Sequence, residues 1–172
     1  MTQRLSKTAV IAAIAVAVAG CEARDAGPAG DANQANTASA DARAANGVPL
    51  AKAAADASLQ WGACPAPFPT GCEMAVLHGD PAKPNADVFL RVPGGYAIPP
   101  HSHSSAERMI LVSGTLQVKY QGHPETTLQT GSYAFGPAGL PHRGSCAAGT
   151  ACTLFIAFEG PVDVEPFSGA IE

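Results

Sequence analysis

Apolar and polar residues alternate in several short stretches of the second half of the chain. The alternation is clearest over residues 88–92 and 116–120. A period of two is typical of a strand that buries one face. Denser apolar runs at residues 109–112 and 153–158 are typical of central strands that are covered on both faces. The pattern therefore predicts a series of short β-strands.

Glycine and proline separate these stretches, and no amphipathic helical period is found after residue 60. The turn signals recur about every 8 to 12 residues, a spacing typical of β-barrels and sandwiches. The sequence therefore predicts an all-β domain over residues 59–172, folded as a closed barrel or jelly roll.

Residues 1–20 have the composition of a secretory signal. Arg4 and Lys7 precede an apolar run from Ala9 to Ala19, which is shorter than a membrane-spanning helix. The run leads into Val-Ala-Gly-Cys21, which resembles the lipobox of bacterial lipoproteins. This resemblance implies that Cys21 is acylated, becomes the first residue of the exported protein and anchors it to a membrane. A plain signal peptide and an uncleaved N-terminal anchor are the alternatives.

Residues 21–58 are predicted to form an Ala-rich, flexible and disordered linker. They contain no aromatic residue, so they can bury too little apolar surface to offset the entropy of ordering. Loss of Arg4 and Lys7 with the signal leaves 8 of the 10 basic residues against 14 acidic ones, a formal charge of −6. Such a charge does not suit nucleic acid. Glu22, rather than an aspartate, favours the periplasmic side of the outer membrane by resemblance to enterobacterial sorting.

Potential metal ligands crowd into one segment of a chain that has only 5 histidines. His101 and His103 are two residues apart, so on a strand both imidazoles point to one face. Glu107 follows, and His142 comes after a second turn cluster. Three imidazoles and one carboxylate suit a single divalent first-row transition metal with open positions for water, dioxygen or substrate.

The spacing around these residues resembles the two motifs of the cupin superfamily. The first, Gly-(five)-His-x-His-(three or four)-Glu-(six)-Gly, is matched by Gly95, His101, His103, Glu107 and Gly114. The second, Gly-(five)-Pro-x-Gly-(two)-His-(three)-Asn, is matched by Gly131, Pro137, Gly139 and His142, with Cys146 in place of the asparagine. The resemblance implies a cupin double-stranded β-helix and a metal site, although cupins vary in whether the carboxylate coordinates directly. It is closest to small single-domain bacterial cupins, many of which dimerise, so a homodimer is also implied.

Four cysteines of the domain come in two close pairs, Cys64 with Cys72 and Cys146 with Cys152. In an exported protein this predicts two disulfides, and of the three connectivities the local one is the simplest. A thiol that acts as metal ligand or nucleophile is the alternative.

Several apolar and aromatic residues are candidates for a substrate pocket beside the metal. Strand parity places Met109 and Leu111 on the same side as Glu107, and Tyr96, Tyr133 and Phe135 lie close to ligands in sequence. For each of these residues, packing in the core is the alternative to substrate contact. Arg91 and Arg143 are the arginines that could reach the metal; a small dianion such as oxalate would need such a guanidinium.

Two functions fit this pattern. The first is a mononuclear-metal enzyme of the oxygenase, decarboxylase or isomerase type that acts on a small organic molecule, with iron, manganese, nickel, copper or zinc as the metal. The second is a cell-envelope module that binds or senses a small ligand or metal without turnover, since no separate general base is evident. A structural envelope protein with a relict site is a third possibility.

Overall fold

The computed structural model describes residues 49–172, and these residues form two antiparallel β-sheets without a helix. The predictions for the signal at 1–20, for acylated Cys21 and for most of the linker therefore lie outside the described residues. No helix long and apolar enough to cross a membrane is found in the described part of the chain. The strands are β1 Gly62–Ala63, β2 Glu73–His78, β3 Asp87–Val92, β4 Ala97–Ser102, β5 Glu107–Ser113, β6 Thr115–Tyr120, β7 Thr126–Gln129, β8 Tyr133–Gly136, β9 His142–Cys146, β10 Cys152–Phe158 and β11 Glu165–Pro166.

One sheet has six strands in the order β1-β2-β3-β10-β5-β8, and the other has five in the order β11-β4-β9-β6-β7. Consecutive strands often lie in different sheets, as in a jelly roll, so the chain crosses repeatedly between the two layers. The prediction of an all-β jelly roll is confirmed, and the dense run at residues 153–158 is the central strand β10.

The core lies between the sheets and follows the alternation of the sequence. In β6 and β3 the inward positions are nearly inaccessible, as Leu116, Val118, Val88 and Val92 show with exposures of 3%, 6%, 0% and 1%. In β5 burial alternates from residue to residue, which places Glu107, Met109 and Leu111 inside as predicted. The same alternation places the candidate ligand Glu107 on the inward face of β5.

Both disulfides have the predicted local connectivity. Cys64–Cys72 closes the loop before β2, and Cys146–Cys152 closes the hairpin between β9 and β10. All four sulfurs are therefore paired, and none is available as a metal ligand.

Candidate metal centre

Three histidines meet inside the barrel although they come from two separate segments. His101 is near the end of β4 and His103 follows that strand, whereas His142 begins β9. Strands β4 and β9 are neighbours, and His101 lies opposite His142 in their register. All three are buried, with 3%, 6% and 7% of the residue surface exposed, and one ring nitrogen from each lies within 4.8 Å of the others.

The other ring nitrogen of each histidine is held by the backbone. The Nδ1 atoms of His101, His103 and His142 lie 2.7, 2.5 and 3.1 Å from the carbonyl oxygens of Pro99, Asp163 and Leu140. Because a carbonyl oxygen can only accept, each Nδ1 donates its proton, so each ring in its neutral form has its lone pair on Nε2. Histidines that ligate metals are commonly oriented by such a bond on the opposite nitrogen.

Burial also keeps two of these rings neutral. It lowers the pKa of His101 to about 4 and, with the nearby His101 and His103, lowers the pKa of His142 to about 3. Only a neutral imidazole ligates a metal, so these two rings need not lose a proton at neutral pH before binding one.

Glu107, at the start of β5, lies beside two of the three histidines. Its carboxylate oxygens lie 3.5 Å from Nε2 of His103 and 3.3 Å from Nε2 of His142, and its Oε1 atom has no hydrogen-bond donor among the described residues. Burial raises the pKa of this carboxyl group. If the carboxylate is ionised, its lone pairs face those of Nε2 on His103 and His142, and a cation among them removes the repulsion. The four residues thus fit a divalent transition metal by the chemistry of their donor atoms.

A glycine makes room for the carboxylate. Gly136 in β8 lies opposite Glu107 in the register of β5 and β8. A β-carbon on Gly136 would lie 2.7 Å from Oε1 and 2.8 Å from Cγ of Glu107, which is too close for any packed pair. This role of Gly136 follows from strand pairing and is not evident from the sequence.

A cavity of about 120 Å³ adjoins the cluster, and apolar side chains from both sheets form most of its wall. Of the predicted pocket residues, only Met109 lines it. Leu111 lies one inward position further along β5, fully buried in the core. Tyr96 is also buried, but its hydroxyl donates to the carbonyl oxygen of Pro69 at 2.6 Å, which anchors a loop.

Tyr133 and Phe135 do not line the cavity, contrary to their prediction as candidate pocket residues. They are 59% and 48% exposed. Their partners across the strands, Ile110 and Arg108, point outward from β5, and directly paired residues share a face. The residues of β8 that point inward are Ala134 and Gly136.

Neither candidate arginine lies at the metal ligands. Arg91 pairs with Glu73 at 2.7 Å and lies over the ring of Trp61 at 3.9 Å. Arg143 pairs with Glu125 at 3.2 Å, and both of these side chains are 41% exposed. Both guanidinium groups are thus paired with partly exposed carboxylates, and of the two arginines only Arg143 also lines the cavity described above.

Two further residues at the site were missed in the sequence. Phe68, within the loop closed by Cys64–Cys72, lines the cavity with its ring 5.1 Å from that of His101. Tyr120 lies opposite His142 with the ring centroids 5.0 Å apart, and its buried hydroxyl has no partner among the described residues. Burial, and then the nearby Glu107 carboxylate, raise the pKa of Tyr120. The alternation of Tyr120 with Leu116 and Val118 in the sequence could have indicated that Tyr120 points inward. No comparable pattern marks Phe68.

His78 and His123 are exposed, and neither lines the cavity or belongs to the histidine cluster.

Two antiparallel sheets that enclose a histidine cluster define the class of this protein, which is a cupin. More narrowly, the chain belongs to the ChrR cupin-like family, whose model matches residues 52–163. The matched region begins at residue 52, which lies within the linker predicted over residues 21–58.

Solved structures share the fold at low sequence identity. Polyketide cyclase RemF from Streptomyces resistomycificus is 19% identical with a TM-score of 0.57, and the aligned region covers 70% of this chain and 88% of that one. DMSP lyase DddQ from Ruegeria pomeroyi DSS-3 is 21% identical with a TM-score of 0.55, and 65% of this chain aligns with 64% of the lyase, less than two thirds of its length. An RmlC-like cupin from Ralstonia eutropha JMP134 is 20% identical with a TM-score of 0.51, with coverages of 67% and 79%. No curated protein matches the chain.

Proposed function

We propose that this protein is a mononuclear-metal enzyme of the oxygenase, decarboxylase or isomerase type, acting on a small organic molecule. The observation that carries the proposal is the set of three backbone-held Nδ1 atoms, which leaves three converging Nε2 lone pairs beside a carboxylate that has no donor. His101, His103, His142 and Glu107 would hold the ion. A bound divalent ion supplies Lewis acidity or, if redox-active, a site for dioxygen.

The protein's own contribution is position and exclusion of water. The carbonyl oxygens hold the three rings in fixed orientations, so little reorganisation is needed when a ligand binds. The apolar wall of the cavity lowers the local dielectric, which strengthens every electrostatic interaction with a bound molecule. Two proteins of similar fold are enzymes by name, a polyketide cyclase and a DMSP lyase, and this supports the proposal of an enzymatic function.

Elemental analysis of protein purified without chelator or affinity-tag histidines tests the site. We expect about one equivalent of a transition metal in the parent, and none in the His101→Ala/His142→Ala double variant. The matched control is His78→Ala/His123→Ala, which removes two exposed histidines and should leave the metal content unchanged. No metal in the parent after reconstitution with iron, manganese, nickel, copper and zinc would contradict the proposal.

A second candidate is a module that binds a ligand without turnover. It is favoured by the shortage of groups for proton transfer: the ionisable cavity residues outside the cluster are Asp163 and Arg143, and each is engaged, Asp163 by the backbone N–H of Ser104 and Arg143 by Glu125. Metal-loaded protein that binds a ligand tightly and returns it unchanged after long incubation would support this candidate over the enzyme.

The proposal also includes export and lipid attachment through Cys21, based on the signal-like residues 1–20 and the lipobox resemblance. Mass spectrometry of the intact protein, purified from the membrane fraction, should then show an acylated chain that begins at Cys21. Cys21→Ser should release the protein from membranes. A membrane-free parent would contradict the anchor, and separation of inner and outer membranes tests the preference expected from Glu22.

A homodimer is the last element of the proposal. Strand β8 is an edge strand, and Tyr133 and Phe135 form an exposed apolar patch on it beside Ile110. Such an edge can pair with its copy. Light scattering should then give twice the monomer mass for the parent and the monomer mass for Tyr133→Glu/Phe135→Glu. A monomeric parent at high concentration would contradict the dimer.

A further inference from the structure

The cavity beside the histidines is polar at one end only. The polar end holds the histidine cluster and Glu107. The two other charged residues of the lining are already engaged, Arg143 with Glu125 and Asp163 with the backbone N–H of Ser104, and the remaining lining is apolar. These apolar residues come from both sheets and include Met74, Val88, Leu116, Val118, Leu154 and Ile156. A polar ligand body would lose its hydrogen bonds to water here without replacement, at a large cost in affinity.

The size of the cavity limits what can enter. Its volume is about 120 Å³, somewhat smaller than an engineered cavity of about 150 Å³ that binds benzene. The loop closed by the Cys64–Cys72 disulfide forms one side of the cavity, where Phe68 packs against His101. The Tyr96 hydroxyl, which donates to the carbonyl oxygen of Pro69, also holds this loop. The space is therefore not easily enlarged on that side.

Charge limits the head group. A divalent cation with ionised Glu107 carries one net positive charge. The other two charged groups that line the cavity are opposite in sign and already engaged, Arg143 with Glu125 and Asp163 with the backbone N–H of Ser104. A monoanion or a neutral oxygen is compensated at such a site. A dianion would leave a negative charge buried against apolar side chains.

We propose that this cavity takes a small molecule with a single oxygen-bearing head group, neutral or singly charged, at the histidines and an apolar body of about three to five carbon atoms in the barrel. This inference rests on the proposed function for the position of the head group. It excludes small dicarboxylates as ligands of the site.

A chain-length series on zinc-loaded protein tests the inference. Calorimetry with straight-chain monocarboxylates from acetate to octanoate should show affinity rising about fourfold for each added methylene and then falling once the chain exceeds the cavity. Succinate and glutarate, matched in length to butyrate and pentanoate, should bind more weakly than those two. Affinity that does not change with chain length, or dicarboxylates that bind more tightly, would overturn the proposal.

Two mild substitutions shift the optimum in opposite directions. Val88→Ile fills space and should shorten the best chain by about one carbon, whereas Ile156→Val opens space and should lengthen it by about one carbon. Both residues line the cavity but are not metal ligands, so the zinc content should stay at the parent's value. An optimum that moves in neither variant, with the parent's zinc content and circular dichroism retained, would place the ligand outside the cavity.

The same design separates failure of this inference from failure of the proposed function. If the parent does not bind zinc, the carboxylate series is run with whichever of iron, manganese, nickel or copper it does bind. Lack of binding of all five metals defeats the proposed function, and the 1-alkanols from ethanol to 1-octanol then take the place of the carboxylates on metal-free protein. Affinity for the alkanols that rises with chain length and shifts with the two variants supports the apolar cavity by itself. Affinity that does not depend on alkanol length overturns it.

Discussion

The two faces of β5 have opposite character although their residues alternate in one strand. The inward face carries Glu107, Met109 and Leu111, with 2%, 5% and 0% of their surface exposed. The outward face carries Arg108, which pairs with Glu159, and Ile110, which is 42% exposed. The inward face therefore combines the core and the candidate metal centre, and a substitution there affects both.

The outward face of β5 also carries an apolar residue, although it faces solvent. Ile110 lies beside Tyr133 and Phe135 on the edge strand, so hydrophobicity alone does not separate the inside from the outside. What separates the two faces is the strand register, which is a property of the fold. The following predictions test how far the two faces differ.

The largest difference should appear in stability. Leu111→Ala removes a fully buried side chain and should lower the free energy of unfolding by about 3 kcal/mol, because it leaves a cavity. Ile110→Ala removes a similar side chain from the exposed face and should cost less than about 1 kcal/mol. Urea unfolding of both variants gives the comparison. Equal losses would mean that the two faces are not distinguished by burial.

Gly136→Ala adds one methyl group opposite Glu107. Because the new β-carbon would lie 2.7 Å from Oε1, either the carboxylate or β8 must move. We expect stability to fall by about 1 to 3 kcal/mol and metal affinity to fall about 10- to 100-fold, as when the groups that support a ligand are disturbed.

Gly62→Ala is the matched control, since no atom lies within 4 Å of a β-carbon at that position. It should leave both the unfolding curve and the metal titration unchanged. A Gly136→Ala variant that binds metal like the parent would show that Glu107 can move without loss, and would place its carboxylate outside the ligand set.

How much of this site could be predicted depended on the range of each contact. The spacing of the two cupin-like motifs predicted His101, His103, Glu107 and His142 as ligands, and the fold brings the three histidines together with Glu107 beside two of them. Alternation was sufficient for the inward position of Met109. It was not sufficient for Tyr133 and Phe135, because the side of β8 is set by its pairing with β5. Alternation describes a strand relative to itself and does not say which face meets the core.

The remaining misses are contacts between distant segments. The carbonyl that holds His103 belongs to Asp163, 60 residues further along the chain. The Phe68 ring reaches His101 from a disulfide-closed loop, and the role of Gly136 exists only through its partner Glu107. No periodicity in the sequence encodes such pairs, so they had to come from the folded structure.

Glu107→Gln should have opposite effects on metal binding and on the stability of the metal-free protein. It removes the anionic donor, so metal affinity should fall. It also removes a buried carboxylate whose pKa is raised by burial, and the amide N–H groups can donate to the Nε2 lone pairs. We expect the metal-free variant to be more stable than the metal-free parent by about 1 to 3 kcal/mol at neutral pH.

The sign of the pH dependence follows from that raised pKa. In the folded state the protonated carboxyl is favoured. The contribution of Glu107 to the stability of the metal-free parent is therefore fully present below the ordinary pKa of 4.5 and is lost as pH rises through the higher folded pKa. The advantage of Glu107→Gln should therefore vanish below about pH 4. Thermal unfolding in chelator from pH 4 to 8 measures it, and an advantage that does not change with pH would contradict a buried titrating carboxyl.

Tyr120→Phe should have the smallest effect on stability, although Tyr120 is on the inner side of its strand. Its hydroxyl is buried without a partner among the described residues, so removing the oxygen relieves a desolvation cost and breaks no hydrogen bond. The metal-free variant should be as stable as the parent or more stable by up to about 1 kcal/mol. Tyr96→Phe is the contrasting variant, because that hydroxyl donates to the carbonyl oxygen of Pro69 and its loss should destabilise by about 1 kcal/mol. If Tyr120→Phe instead destabilises as much as Tyr96→Phe, the Tyr120 hydroxyl has a partner such as an ordered water in the cavity, and the inner face of β6 is more polar than the strand pattern indicates.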